Sequence, residues 1–397
     1  MNRTALTCTS IAFLAIIAAA AMISTRVVAG PLNPPSGAVS PTYKTLTEVE
    51  PRIAINATNT PGDADSLYKI TQPGSYYLTG NVTGVAGKHG IEVAVEHVTV
   101  DLNGYSLLGV PGSLNGIGVT LAGSSLTVCN GNVSFWGGDA IYGGSGFNQS
   151  VENVRAWLNT GGGIRLSANS MVRGCIANNN GGVGIELSTD GVVNACVARA
   201  NHGGGFSASA GGTFENCSAR ENTGNGFSSG VNSAVKGCAS LGNSSHGFSC
   251  SITSVLSACS AYANGGAGFS IAGESSIVDC ASTDNVGDGI SISSQCLARG
   301  NTCTNNGNNG NAAGIHATGN DNRIEGNLCT SADRGIDVDG TGNIIMRNTC
   351  TANTINWTIV GGNTFLIVVA NKTVSNFSGD AGGGGYGSTD PNANFTY

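Results

Sequence analysis

Charge is scarce in this chain of 397 residues. Lys, Arg, Asp and Glu together make up 10% of it, and 17 basic residues stand against 24 acidic ones, for a net charge of −7. A chain without a basic surplus has no electrostatic hold on phosphate, which excludes nucleic acid and anionic membrane as partners. Aromatic residues make up only 6%, while glycines number 62, and Asn and Ser crowd the middle of the sequence. Few helices can be built from such material. The apolar share of 40% is nevertheless too high for a disordered linker protein. Apolar residues recur at short intervals between Gly and Asn, a pattern that suits many short strands joined by tight turns.

Long apolar runs are also absent, except at the start. Arg3 precedes an apolar stretch from Ala5 to Ile23, and small residues follow at Val27 and Ala29. This reads as a secretory signal over residues 1–29, with an uncleaved anchor as the alternative. Later segments are too short to span a bilayer, so no membrane contact is expected after cleavage, and the protein is expected to be secreted or held at the cell surface. Residues 30–65, rich in Pro, Thr and Ala, predict an extended lead-in. Residues 371–397 predict a Gly-rich tail with a short docking end.

Between these ends the sequence repeats. Cys175, Cys196, Cys217, Cys238, Cys259 and Cys280 are spaced 21 apart, with Val154 in the same slot one repeat earlier. Asn180, Asn201, Asn222, Asn243, Asn264 and Asn285 keep step, as do Gly184, Gly205, Gly226, Gly247, Gly268 and Gly289, each followed by Ile or Phe. Self-similarity at this period marks a solenoid. Each repeat holds short strand signals and turn residues but no amphipathic helix, which disfavours helical and leucine-rich repeats. A left-handed hexapeptide coil would repeat every ~18 residues. The prediction is therefore all-β, a single-stranded right-handed parallel β-helix over residues 66–370, with rungs of roughly 21 residues.

In such a coil, equivalent residues stack about 4.8 Å apart and form columns. Inward Asn at a bend can bond the turns above and below, and Gly permits either positive φ or close backbone approach. The Cys slot calls for a small, inward, largely apolar side chain. After Asn285 the pattern shifts: Asn301, Asn327 and Asn348 take the Cys slot, and Cys303, Cys329 and Cys350 move two places on, which keeps them on the same face. Removing Cys8 with the signal leaves an even number of cysteines in an exported protein. Buried free thiols are expected, with stacked disulfides as the alternative. A linear column does not suit tetrahedral zinc.

The segments "ITQPGSYYLTGNVTG", "VTVDLNGYSLLG" and "LTVCNGNVSFWGGDAIY", with the flanks "VEPRIAINATNTPGDADSLYKI" and "GSTDPNANFTY", resemble secreted bacterial right-handed β-helix repeat proteins of the pectin-lyase-like superfamily. The resemblance implies this fold, and enzyme relatives that act on acidic polysaccharides. Polygalacturonase-like hydrolases would show Asn-Thr-Asp, Asp-Asp, Gly-His-Gly and Arg-Ile-Lys in order. Here "NTG" at Asn159, "GDG" at Asp288, "SHG" at His246 and "RIE" at Arg323 leave none of the four intact. The carboxylate cluster of pectate-lyase-like calcium sites and the Asp-Pro-His-Glu signature of alginate epimerases are missing too.

One outward column retains chemical variety: Arg165, Glu186, Ser207, Ser228, Ser249, Ser270, Ser291, His316 and Asp337. Ser291, His316 and Asp337 are the residue types of a hydrolytic triad, but stacked parallel side chains rarely make its hydrogen bonds, so no catalytic residues are assigned. In "GIDVDG", Asp337 and Asp339 alternate with inward Ile336 and Val338, facing outward with Arg334 and His316 close. His316, Arg334, Asp337 and Asp339 are the candidate ligand-binding residues, set against an ordinary acidic surface patch. Two carboxylates could also hold calcium, though one strand supplies few ligands; no metal or other cofactor is assigned. Trp136, Trp157 and Trp357 could stack on sugars, or serve as edge and cap residues. The expected function is a non-catalytic exported β-helix, structural or binding a surface polysaccharide. The alternatives are a polysaccharide lyase or glycoside hydrolase with a departed catalytic set, and a Ser array that binds ice or a crystalline polymer.

Overall fold

The structure is a computed structural model that describes residues 50–123, 125–307, 310–370, 377–379 and 390–396. The expected signal segment lies outside the described residues. The chain from Arg52 onward is one compact unit, and its described strands are parallel and stacked. No helix among the described residues is long and apolar enough to cross a membrane.

One rung shows how the coil is built. Val192–Asn194 forms the second face, Val197–Arg199 the third, and Phe206–Ala208 the first face of the next turn. Thr213–Glu215 then pairs in register with Val192–Asn194, 21 residues on. The first face is a sheet of fifteen strands, and the other two faces are joined in a second sheet because Leu126–Ser134 and Ser150–Trp157 run unbroken around the corner between them. Stacking extends at the start to Ile53–Ala54, which pairs with Tyr76–Tyr77. At the end, Asn394–Thr396 pairs with Val368–Ala370 and lies beside Cys350.

Most corners follow one rule, the exceptions including those where Gly191, Gly212 or Ala332 follows the turn. A residue with φ near +50 to +60° turns the chain, and the next residue points inward and accepts the backbone N–H of its counterpart one rung earlier. At the third corner Ala200 has φ 52° and Asn201 follows; at the second, Ala195 has φ 52° and Cys196 follows; at the first, Glu274 has φ 57° and Ser275 follows. The turning residue is mostly not glycine, although the left-handed region costs an L-residue roughly 1–2 kcal/mol. The repeated Gly column does not make these turns. At Gly205 a Cβ would lie 2.7 Å from the Gly226 carbonyl oxygen and 2.9 Å from Asn222 Nδ2. Of the two roles expected for this column, close backbone approach is the one it serves.

The asparagine ladder is continuous and buried. Asn222 Oδ1 accepts from the backbone N of Asn201 at 3.0 Å and from its Nδ2 at 2.9 Å, while Asn222 Nδ2 donates to the Ala198 carbonyl at 3.1 Å and to Asn243 Oδ1 at 2.8 Å. The cysteine column is a second ladder of the same kind. Cys196 Sγ accepts from Cys175 N at 3.4 Å, and the Cys175 thiol donates to the Arg173 carbonyl at 3.3 Å. Where the residue type changes, the bond persists: Cys280 N donates to Asn301 Oδ1 at 2.9 Å. Cys303 pairs in register with Ser282 and Cys329, so the displaced cysteines do occupy the neighbouring inward column. The first corner makes a third ladder, in which Ser254 N donates to Ser275 Oγ at 2.9 Å and Cys296 N to Asn322 Oδ1 at 2.8 Å.

Apolar columns fill the space between the ladders. Phe206, Phe227, Phe248 and Phe269 are fully buried, and their rings stack with centroids 4.7–4.8 Å apart and interplanar angles of 5–11°. All twelve described cysteines are free thiols, eleven of them buried. Burial pushes the Cys250 thiol up to about 12, so this group stays protonated and unreactive in the folded coil.

Two outcomes are expected. Asn222→Leu should lower the melting temperature more than Asn225→Leu, because the former strands fully buried backbone groups, at about 1–3 kcal/mol for each unsatisfied partner, while Asn225 accepts only from the half-buried His246 N; equal shifts in thermal unfolding would refute the ladder's role. Alkylation followed by mass spectrometry should label the buried cysteines only slowly in the native protein. In the denatured, unreduced protein all twelve cysteines from Cys129 to Cys350 should be labelled, and disulfide-paired peptides would contradict the free-thiol column.

Candidate functional site

Register between rungs puts Tyr142, Arg165, Glu186, Ser207, Ser228, Ser249, Ser270, Ser291, His316, Asp337 and Thr358 in one outward column of the first face. The hydroxyls of Ser207, Ser249, Ser270 and Ser291 form no hydrogen bond with another described residue, and each of these serines is half-buried. Charged residues border this polar strip on both sides.

At the far border the period lengthens. Ile290 and Ile315 are register partners 25 residues apart instead of 21, and the first-face strands grow from three residues to five, as in Ala313–Ala317 and Arg334–Val338. The longer strands bring together the four residues singled out from the sequence. His316 Nε2 lies 3.0 Å from Asp339 Oδ2 and 4.0 Å from Asp337 Oδ2, and Arg334 Nη1 donates to Asp337 Oδ2. Arg334 Nη2 also donates to Asn311 Oδ1 at 3.0 Å.

Asp288 completes the group, with Oδ2 3.1 Å from His316 Nδ1 and Oδ1 accepting from Ala313 N at 2.7 Å. Sequence reasoning met Asp288 only as a broken hydrolase motif. Its signal was positional, since Asp139 likewise stands two residues before its first-face Ile and lies 3.7 Å from Arg165, a cation of the next rung.

The expectation that both carboxylates lie at the outer surface needs correction. Asp337 does point out of the coil, but Arg334 and His316 crowd it and only 1% of its side chain is exposed, against 57% for Asp339. Asp337 Oδ1 has no hydrogen-bond partner, and the adjacent Thr358 Oγ1 lacks one too. Ser291 and His316 stand in adjacent rungs, yet both imidazole nitrogens bond to carboxylates rather than to the serine. This is not the geometry of a Ser-His-Asp triad. Asp288, followed by Asp339, holds the imidazole charged, raising its pKa from the ordinary 6.5 to about 9 against the opposing effect of burial.

Ligand atoms of His316, Asp337 and Asp339 lie within 4.8 Å of one another, a spacing that could hold a divalent cation. The imidazolium and Arg334 already supply positive charge there. A second acidic group, Asp63, Asp65 and Glu92, has Lys69 Nζ 2.7 Å from Asp63 and 2.9 Å from Glu92. Trp136 and Trp357 are buried and unavailable for stacking on sugars, whereas Trp157 is half-buried.

Residues 83–239 match the family model described as "Right handed beta helix region". The fold is a right-handed parallel β-helix. No curated protein matches the sequence. Similar solved structures include the A-module of a mannuronan C-5 epimerase from Azotobacter vinelandii, at 17% identity and a TM-score of 0.41, over 70% of this chain and 86% of that one. Another is the receptor binding domain of the Siphovirus 9NA tailspike, at 10% identity and a TM-score of 0.44, over 73% of this chain and 71% of that one. A third is a mutant tailspike protein of E. coli bacteriophage HK620 in complex with pentasaccharide, at 13% identity and a TM-score of 0.43, over 82% of this chain and 72% of that one.

A group whose folded pKa is raised contributes stability below its unfolded pKa and loses it as pH rises through the folded value. For His316 that window runs from about 6.5 to about 9. The melting temperature should therefore fall across this range, and fall less in His316→Asn. In Asp288→Asn the imidazole midpoint, followed by NMR, should move back toward 6.5; an unchanged midpoint would show that Asp288 does not hold the charge.

Proposed function

We propose that this protein is an exported, non-catalytic β-helix that binds polysaccharide along its first face. The observation that carries the proposal is the strip from Ser207 to Ser291. Its half-buried hydroxyls, most of them without a partner in the protein, repeat once per rung on a regular parallel sheet. That repeat is close to the rise of one sugar ring in an extended glycan, so successive hydroxyls of the ligand can meet successive rungs. Charged groups at Arg165 and Glu186 on one side, and at His316, Arg334 and Asp339 on the other, supply the stronger polar contacts that fix register. Export follows from the leading segment, Arg3 and the apolar run after it.

A second reading, hydrolysis or elimination at the charged cluster, draws on one feature. His316 is an imidazolium set between carboxylates beside a solvent-facing Asp339, and an acid beside a carboxylate is the pairing that glycosidic bond cleavage uses.

A glycan array read for both retention and depolymerisation separates the two. Retention without new reducing or unsaturated ends is the expected outcome, and release of such ends would select the enzyme. Asp339→Asn should weaken retention with little change in melting temperature, since exposed substitutions usually shift stability by no more than about 0.5 kcal/mol. The double change Ser228→Ala and Ser249→Ala should weaken it as well. Full retention by both variants would refute the first-face site.

A further inference from the structure

A separate constellation lies on the third face, near the start of the coil. Register places Asn132, Arg155 and Ile176 in one outward column and Ser134, Trp157 and Asn178 in the next. Two adjoining recesses, of about 400 and about 290 Å³, share Asn132, Arg155 and Ile176 among their lining residues. The larger is also lined by Gly104 and Gly174; at Gly104 a Cβ would meet nothing within 4 Å, so the recess is open there. The smaller reaches Trp157 and Asn178.

Arg155 differs from most arginines of this coil. Arg165, Arg199, Arg220, Arg323 and Arg347 are each paired with a carboxylate. Arg155 is exposed and forms no ion pair or hydrogen bond with another described residue. Trp157, two residues along the strand, presents its ring on the same side. Phe135 supports that ring edge-on, with centroids 4.9 Å apart and planes at 66°.

Phe135 itself is 46% exposed and sits at a left-handed corner with φ 64°. The equivalent corner of the next rung holds Leu158, also exposed, and later ones hold Asn179, Ala200 and Ala263; an exposed apolar residue at such a left-handed corner gains little from burial. It does widen the aromatic shelf. Asn178 has an uncommitted side-chain amide, and Asn132 uses only Nδ2, toward Ser106 Oγ at 3.3 Å.

We infer that this recess is a second binding site, for an acidic sugar residue that stacks its apolar ring face on Trp157 and places its carboxylate on the Arg155 guanidinium. An aromatic shelf suits the C–H face of a pyranose. The guanidinium fork matches a carboxylate in two parallel hydrogen bonds, and the amides of Asn132 and Asn178 match ring hydroxyls. The site is independent of the first-face strip, and either can fail without the other.

Cellotetraose and its C6-oxidised tetraglucuronate differ in the carboxylates alone, which makes them suitable probes. Of three tryptophans only Trp157 is not fully buried, so intrinsic fluorescence reports on this recess. Tetraglucuronate should change the emission and saturate, and cellotetraose should bind about tenfold more weakly or worse. Arg155→Ala and Trp157→Ala should each cost about tenfold or more in affinity by calorimetry, with Arg155→Lys intermediate. Trp157→Phe, which keeps a ring in place, guards against a packing defect in Trp157→Ala. The first-face double variant Ser228→Ala and Ser249→Ala should leave the fluorescence titration unchanged. Equal affinity for the two tetrasaccharides, an unchanged affinity in Arg155→Ala, or tighter binding of adenosine monophosphate than of tetraglucuronate would each overturn the inference.

Discussion

The structure depends on the backbone N–H that each corner leaves facing the interior. Strand pairing between rungs uses the N–H and C=O groups of the flat segments, but where the chain turns through positive φ the ladder geometry is interrupted. A buried donor without a partner costs about 1–3 kcal/mol, and three corners per rung would repeat that cost along the whole coil. At most corners the residue after the turn removes it by accepting from the rung before. A ladder of this kind requires each rung to present the same kind of side chain at the same place, which is why the sequence repeats.

The requirement is for an inward acceptor of modest size rather than for one residue type. Asn, Ser and Cys all meet it, and all three appear within single columns. The second corner changes from Cys to Asn between Cys280 and Asn301, and the first from Ser to Cys to Asn between Ser275 and Asn322. Asn satisfies more groups, because its amide also donates to a carbonyl and to the next Asn. Cys offers a weaker acceptor but adds apolar volume to a narrow core. When Asn enters the second corner, Cys moves to the column beside it, where Ala or Ser had been. Core volume and corner bonding are thus kept together by paired changes in neighbouring columns.

That economy explains what was legible in the sequence. The period, the Asn and Cys columns, the two-place shift and the outward column from Arg165 to Asp337 all follow from equivalence between rungs. The left-handed residues before each ladder were not legible, because that position accepts Asn, Ala, Glu, Asp and Gly alike. The serine ladder of the first corner was hidden in a Ser-rich chain. At the candidate site, alternation in "GIDVDG" placed Asp337 and Asp339 outward, but periodicity says nothing about what covers an outward side chain. Burial of Asp337 depends on Arg334 from its own strand and His316 from the rung before. The role of Asp288 depends on a contact between rungs whose spacing departs from 21.

Regularity also makes departures informative. Almost everywhere the coil satisfies its polar groups by repetition, and a local inconsistency in such a frame marks a place shaped by something besides folding. Not every orphaned atom carries that weight. Ser229 Oγ lies inward, where Ala208 and Cys250 flank it, and a lone hydroxyl there is a minor loss. Asp337 is different in kind: a carboxylate almost without solvent, one oxygen held by Arg334 and the other by nothing, beside an imidazolium kept charged by two further acids. Burying that much unlike charge is unfavourable compared with an apolar surface of the same volume. Folding the coil does not require it, since a dozen other rungs close without it. On the proposal that this face binds polysaccharide, the charges would be fixed in place before the ligand arrives, so that an incoming polar chain would meet oriented groups with little reorganisation on binding.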